Sequence, residues 1–323
     1  MPNLVIERAS NVIRTERVMQ MEGMFDIAPS AKSAERWELK LDLPAEWNIG
    51  VIVGPSGAGK STLAKELFTE HLVQRHAWPQ DKSILDGFPS KMSIKDIVQL
   101  LSSVGFSSPP SWLRPFQVLS TGEQFRVSMA RALAEQRDLC VVDEFTSVVD
   151  RKVAQIGSAA ISKTVRKSKQ KFVAVTCHYD VLEWLAPDWI FEPHVNKMTL
   201  PRGSLQRPPI ELEIRRVHSS AWSIFKKHHY LTASISSSAF CFCAFWRGEP
   251  VCFDAWLPFV GRLRTCVKGR RGHRTVCLPD FQGVGIGNAL FETIASAWTA
   301  LKYRALSGTG HPAEINKRIR SKN

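Results

Sequence analysis

Gly54-Pro-Ser-Gly-Ala-Gly-Lys-Ser-Thr62 decides how the first half of this chain is read. It follows the apolar run Ile49-Gly-Val-Ile-Val53, so a buried strand enters a glycine-rich turn and leaves it as a helix. Gly54, Gly57 and Gly59, with Ser56 between them, let backbone N–H groups close around an anion, and the following helix presents its positive end to the same charge. Lys60 can reach the β and γ phosphates of a nucleoside triphosphate, the Ser61 hydroxyl can ligate Mg²⁺, and Thr62 completes the motif. Alone, the loop specifies phosphate binding and not what is done with the phosphate.

Outward from the loop, the runs 139–142 and 172–176 are also apolar, bounded by turn or charged residues and separated by helical patterns, as a parallel α/β sheet requires. The stretch 123–136 predicts a helix with Phe125, Met129 and Leu133 on one face. Leu119-Ser-Thr-Gly-Glu-Gln124 opens that helix, and the strand 139–142 runs into Asp143 and Glu144. Ser147-Val-Val-Asp150 follows, and His178 ends the next strand. The set resembles the ABC ATPases in order and in spacing: Ser120 lies 23 residues before Asp143, and His178 lies 35 after it.

The resemblance implies ATP and Mg²⁺ as ligands and assigns roles residue by residue. Asp143 joins Ser61 in the Mg²⁺ shell, Glu144 polarises the attacking water, and His178 and Lys60 contact the terminal phosphates. Gln80, in Trp78-Pro-Gln-Asp81, is the candidate for the Q-loop and a Mg²⁺ contact, and Ser120 and Gly122 are the signature residues that bind ATP. Phe25, Trp37 and Trp47 compete for the aromatic that stacks on adenine. Thr121 stands where the signature has its first glycine. About sixty residues separate Lys60 from Ser120, so the helical subdomain is expected to be trimmed, and with it the docking surface for a membrane partner. One phosphate loop and one signature per chain imply a head-to-tail homodimer holding two ATP molecules.

The stretch 187–209 carries five prolines, and the texture of the chain changes after it. Three parts are expected: an ABC-type ATPase domain at 1–200, a linker at 201–210, and a second domain at 211–323. Charge divides at the same place. Residues 1–200 hold 24 Lys+Arg against 23 Asp+Glu, whereas 201–323 hold 19 against 7, so the second domain is the one suited to a polyanion such as nucleic acid. Arg262, Arg264, Lys268, Arg270, Arg271 and Arg274 fall within thirteen residues and are its densest basic cluster.

That domain reads as a helix at 219–231, strands at 239–246 and 251–258 turning at Arg247-Gly248, a strand at 274–278, a helix at 288–301 and a short strand at 304–308. Between the last long strand and its helix stands Gln282-Gly-Val-Gly-Ile-Gly287. The turn and the element order resemble the GNAT acyltransferases, which makes the expected fold class α/β, a P-loop ABC ATPase followed by a smaller α+β GNAT-like domain. The resemblance implies acetyl-CoA as cofactor, its pyrophosphate held at Gln282, Gly283, Gly285 and Gly287. His228-His-Tyr230 resembles the His-Tyr pair of Mom-type phage enzymes that modify DNA adenine, making His229 and Tyr230 candidates for acyl-transfer chemistry, with Asp254 and Asp280 as rival bases. Only about fifteen residues follow the last strand, so this domain is expected to be truncated or completed by a partner. The whole chain resembles a microbial and phage-associated group that fuses an ABC-type ATPase to a predicted acetyltransferase.

At 323 residues the chain is long for one core, and 44% hydrophobic with 23% charged residues is an ordinary globular balance. Its longest apolar run, 239–246, is far below the ~20 residues of a membrane span, and no signal peptide is expected. Seven cysteines without zinc-type spacing are expected to be reduced thiols in the cytoplasm. Three functions remain: ATP hydrolysis coupled to acyl transfer onto a nucleic acid or protein amine, an ATPase with a non-catalytic module binding nucleic acid or CoA, or the ATPase subunit of a transporter.

Overall fold

The computed structural model describes residues 3–11, 13–28, 32–74, 76–201, 210–229, 234–259 and 268–308. The chain opens with β1 (Asn3–Asn11), α1 (Glu16–Phe25) and β2 (Lys32–Lys40), the strands pairing antiparallel from Asn3↔Lys40 to Asn11↔Lys32. Next come β3 (Ile49–Val53), α2 (Lys60–Leu67), α3 (Ile94–Ser103), α4 (Pro109–Trp112) and α5 (Thr121–Glu135). The first unit closes with β4 (Leu139–Val142), α6 (Arg151–Ser168), β5 (Lys171–Thr176), α7 (Val181–Leu185), β6 (Trp189–Glu192) and β7 (Lys197–Thr199). All three strands expected from the apolar runs are present.

These strands form one sheet in the order β4-β5-β3-β6-β7, parallel except for β7. β3 is apolar throughout because both its faces are covered. Ile49, Val51 and Val53 join the core built with α3, α5 and α6, while Ile52 packs with Leu63 and Ala64 of α2. Gly50 is a packing requirement: a Cβ there would lie 2.0 Å from Trp189 Cζ2, inside the ring of a fully buried side chain. Burying both faces fixes where β3 ends, and so where the phosphate loop begins.

The second unit comprises β8 (Glu213–Val217), α8 (Trp222–Phe225), β9 (Phe240–Trp246), β10 (Glu249–Phe259), β11 (Gly269–Cys277), α9 (Ile286–Ala300) and β12 (Arg304–Leu306). Its sheet runs β12-β11-β10-β9-β8, with every pair antiparallel except β11 with β12. Arg247 and Gly248 turn the β9–β10 hairpin with φ of 50° and 81°, the left-handed pair of a tight two-residue loop. The register of β10 on β11 shifts between Ala255 and Trp256, leaving His273 as the extra residue of a bulge.

The helix expected at 219–231 is much shorter. Trp222 and Phe225 bury one turn, but Lys226, Lys227 and His228 follow in a 3₁₀ turn, since no apolar stripe continues beyond Phe225. The linker falls largely on 202–209, which lies outside the described residues, as do Tyr230, Arg262, Arg264 and the chain beyond 308.

Candidate functional site

The phosphate loop is shaped by backbone conformations that glycine supplies. Gly57 and Gly59 have φ of 79° and 76°, in the left-handed region, and Gly59 is the N-cap of α2. Nothing lies within 4 Å of a Cβ at Gly57, so it is the backbone angle rather than crowding that calls for glycine there. Pro55, Ser56 and Gly57 are exposed, whereas Gly54 is buried at the end of β3. The Lys60 ammonium donates to the Pro55 carbonyl at 2.7 Å, folded over the loop it is expected to serve. Ser61 is exposed in the first turn of α2, and Thr62 is half-buried beside it.

Parallel strands bring the remaining groups to the same edge of the sheet. Asp143 and Glu144 follow β4, and the Asp143 carboxylate accepts from the Glu144 N–H at 2.9 Å. Glu144 and Thr146 have φ of 52° and 66°, so this strand end is held in the left-handed region by non-glycine residues. Thr176, at the end of β5, supplies the bracing. Its hydroxyl donates to the Phe145 carbonyl at 3.0 Å and accepts from the His178 N–H at 3.1 Å. The Phe145 N–H also bonds the Val175 carbonyl at 2.9 Å. One buried threonine thus ties the segment bearing Glu144 to the backbone of His178. Asp150 caps α6 by accepting from Lys152 and Val153 N–H at 2.9 and 3.0 Å.

The signature opens α5 through a capping box. Glu123 N–H donates to Ser120 Oγ at 3.3 Å, and the Glu123 carboxylate accepts from Ser120 N–H at 2.9 Å. Ser111 donates to the other Glu123 oxygen at 2.8 Å, so Glu123, which the sequence reading left without a role, fixes the signature serine. Ser120 and Thr121 are exposed, and Gly122 is buried.

Gln80 is exposed in a bend next to Trp78, whose ring stacks on Phe116 at 4.8 Å. Gln74 is a rival that the sequence reading missed. Leu72 forms a parallel bridge with Val141 of β4, and the Val73 N–H donates to the Val141 carbonyl at 2.8 Å. Gln74 therefore leaves a short strand flanking the one that ends in Asp143, and the apolar pair Leu72-Val73 was its only signal. A Cβ on Gly54 would lie 3.0 Å from the imidazole Nδ1 of His194, a second residue placed beside the loop without a sequence motif.

The aromatic candidates separate. Trp47 packs edge-on against Trp189 and under the Lys171 ammonium, at the start of β3 and β5. The phosphate loop lies at the other end of β3, about 16 Å of strand away, so Trp47 is a core residue and not the adenine platform. Phe25 is 63% exposed at the end of α1. The side chain of Trp37, in β2, lies outside the described structure.

Several residues proposed for the second unit are committed elsewhere. The Gln282 N–H bonds the Pro279 carbonyl, while its side chain accepts from Ser107 N–H at 2.6 Å and donates to the Cys277 carbonyl at 2.9 Å. A Cβ on Gly283 would lie 2.5 Å from Gly105 Cα, so this glycine serves a backbone-to-backbone contact with the first unit. The Gln282 side chain and the Cβ-less face of Gly283 are thereby committed to packing, which leaves only backbone groups of these two residues for the acyl-CoA contact expected of them. Gly285, with φ 101° and open space around a Cβ, is the N-cap of α9, and Gly287 lies in its first turn.

Arg274 is buried, with its guanidinium over Trp222 and 3.0 Å from His229 Nδ1. A guanidinium can only donate, so Nδ1 accepts and the neutral ring carries its proton on Nε2. Burial, then the charges of Arg274 and His273, lower the His229 pKa to about 4. In this tautomer the one lone pair of the ring, on Nδ1, is engaged by Arg274. Asp254 is fully buried, accepting from Trp256 Nε1 at 2.5 Å and Thr275 Oγ1 at 2.7 Å. The Arg270 guanidinium lies 4.3–5.0 Å from the ring centroids of Tyr303, Phe240 and Trp298. Arg270 is thus half-buried among rings and Arg274 is buried, while Lys268 and Arg271 are exposed.

A family model described as an AAA domain matches residues 46–170. An uncharacterized ABC transporter ATP-binding protein of Haemophilus influenzae is 32% identical over 136 residues, covering 33% of this chain and 55% of that protein. The zinc import ATP-binding protein ZnuC of Histophilus somni is 34% identical over 149 residues, covering 38% and 53%. The chain spans about half the length of the curated relatives it matches. The ATP-binding cassette MJ0796, solved as a post-hydrolysis dimer bound to ADP and Pi, aligns at 18% identity and TM-score 0.42 over 52% of this chain and 93% of that one. None of the described helices is long and apolar enough to cross a membrane. The part of the chain that carries the phosphate loop, the carboxylate pair and the signature is an ABC-type P-loop ATPase domain.

Proposed function

We propose that residues 1–200 bind ATP and hydrolyse it, with each site completed by the signature of a second copy in a head-to-tail dimer. The observation that carries this reading is the gathering of loop 54–62, Asp143, Glu144 and His178 at one edge of one parallel sheet, braced through Thr176. The left-handed Gly57 and Gly59 turn backbone N–H groups toward the β and γ phosphates, and Lys60 exchanges the Pro55 carbonyl for them. The Ser61 hydroxyl and the Asp143 carboxylate form a donor set suited to Mg²⁺, which keeps waters and substrate oxygens as its other ligands. When bound, the ion neutralises charge on the phosphates.

Glu144, exposed at the strand end, polarises a water for attack on the γ-phosphorus, and the bridging oxygen leaves with ADP. His178 holds the γ-phosphate, and Gln80 or Gln74 senses the site from the neighbouring loop. Ser120 and Gly122 reach the nucleotide of the partner copy. The test is the Glu144→Gln variant. It should bind ATP with affinity near that of the parent, lose steady turnover, and accumulate as an ATP-dependent dimer on gel filtration; undiminished turnover removes Glu144 from this role.

A second reading, transfer of an acyl group from acetyl-CoA to an amine of nucleic acid or protein by the second unit, is favoured by its strand order, with β11 and β12 its one parallel pair among the described residues. Gly285, Gly287 and the backbone groups of Gln282 and Gly283 then remain to meet the pyrophosphate, and Tyr230 replaces His229 as the proton-transfer candidate. Incubation with radiolabelled acetyl-CoA against DNA, tRNA and total protein, with and without ATP, tests it; absence of label in every acceptor removes it. A role as the ATPase of a transporter is the third reading, favoured by its similarity to an ABC transporter ATP-binding protein and a zinc import ATP-binding protein.

A further inference from the structure

The second unit is built onto the helix that carries the signature. Gly122 and Arg126 lie four residues apart on one face of α5, and both meet the 3₁₀ turn Pro279–Phe281. A Cβ at Gly122 would sit 3.4 Å from Asp280 Oδ1 and 3.3 Å from Val153 of α6. The Arg126 side chain is 1% exposed; its Nη2 donates to the Asp280 carbonyl at 3.0 Å, and its Nη1 lies 3.5 Å from the Asp280 carboxylate. Neither Nε nor Nη1 of Arg126 has a hydrogen-bond partner among the described residues, and burial lowers the guanidinium pKa. Asp280 is the carboxylate in contact with this cation, and it belongs to the other unit.

The seam extends to both sides of α5. Gln282 bonds the Ser107 N–H, and Gly105 and Gly283, with φ of 89° and 88°, bring their backbones into contact. Ile156 of α6 is buried in the second unit's core with Trp246, Val251 and Phe281. At the rim, Lys152 and Glu249 pair at 2.6 Å. Lys152 stands in the first turn of α6, two residues after the Asp150 cap. The second unit therefore holds the helix that starts at the signature and the helix that starts after Asp150.

We propose that Asp280 and Arg126 are positioning residues of the ATPase, through which the second unit sets the signature motif for the nucleotide of a partner copy. The proposal rests on the head-to-tail ATPase reading. Its physical basis is that a buried guanidinium deprived of its countercharge destabilises the arrangement it occupies, and here that arrangement is the first two turns of the signature helix. Asp280 touches no reacting atom in this account. It acts by keeping α5 in register with α6 and the turn before α9.

The test uses the full chain and the variant Asp280→Asn, which removes the charge but keeps the backbone carbonyl that Arg126 also uses. ATP affinity of the monomer should stay within about twofold, whereas kcat, and ATP-dependent dimerisation in a Glu144→Gln background, should each fall about tenfold; Asp280→Glu should recover most of both. Thermal unfolding checks that Asp280→Asn is folded at the assay temperature. If it is not, the decision passes to Lys152→Glu, Glu249→Lys and their double exchange, all at exposed positions. The single variants should weaken dimerisation and the exchange should restore it. Parent-like kcat and dimerisation in the folded Asp280→Asn variant overturn the proposal, as does a parallel loss of ATP affinity, which would mark a structural role only; if the exchange pair decides, unaffected single variants or an exchange that restores nothing overturn it. A parent chain that neither binds nor hydrolyses ATP overturns the ATPase reading, and this proposal with it.

Discussion

At the scale of single residues, the phosphate loop works by what its side chains leave out. Gly57 and Gly59 supply left-handed backbone, and Lys60 folds over it. Lys60→Ala should therefore weaken binding of a fluorescent ATP analogue by about tenfold or more, since a charge-assisted contact to phosphate is lost. The unfolding midpoint should hardly move, because the lysine bonds only a loop carbonyl. Unchanged affinity would mean that the loop holds no phosphate. Histidines give the residue scale a pH signature. Burial lowers the pKa of His76, His228, His229 and His273, with His229 at about 4. Folded pKa values below the unfolded one make the unfolded chain bind more protons, so their contribution is complete above about pH 6.5 and is lost as pH falls toward 4. The thermal midpoint should decline through that window, and His229→Gln, which keeps an acceptor for Arg274, should flatten the decline. A midpoint independent of pH between 7 and 5 would contradict this.

At the scale of elements, β3 controls the site because its burial fixes where the loop begins. Gly50 admits the Trp189 ring beside β3, and a methyl placed 2.0 Å from a ring atom of this buried side chain forces the ring or the strand to shift. Gly50→Ala should lower stability by about 1–3 kcal/mol through overpacking, read in chemical denaturation, and should impair ATP binding only as far as it unfolds the chain. A variant as stable as the parent would show that Trp189 has another position available. The contrast with α5 is informative. Its start is held by polar groups, the Ser120–Glu123 capping box and the Arg126–Asp280 contact, so it can be disturbed without emptying a core.

Across the whole molecule, the charge excess of 201–323 is less available than its count implies. Arg270 is half-buried among three aromatic rings and Arg274 is buried against His229, which makes two of the six cations in the densest cluster less open to a polyanion. Lys268 and Arg271 remain exposed, with Lys226 and Lys227 on the segment after α8. If the full chain binds duplex DNA through such residues, log affinity should fall with log salt at a slope steeper than about −1.8, the value for two phosphate contacts. Replacing Lys268 and Arg271 with Ala should make the slope shallower by about 1.8, whereas Arg270→Ala should change it less and lower thermal stability. Binding insensitive to salt would rule out the nucleic-acid partner.

The sequence by itself determined the ATPase. Its loop, carboxylate pair and capping-box helix are local: each is a strand end or helix start whose geometry is set within about ten residues, so residue type and spacing suffice to read it. The strands at 49–53 and 139–142 and the helix opening at the signature stand where the patterns place them. Only the tertiary structure decided the packing of Gln282 and Gly283, the ring contacts of Arg270 and the burial of Arg274, the place of Trp47, and the rival Gln74. Those depend on what a side chain meets from far along the chain. Arg126 and Asp280 are 154 residues apart, and Ser107 and Gln282 are 175 apart. A glycine that bends a loop around phosphate and one that lets two backbones touch look the same in sequence, because both are defined by what is absent. What distinguishes them is the partner that fills the space, and folding alone supplies it.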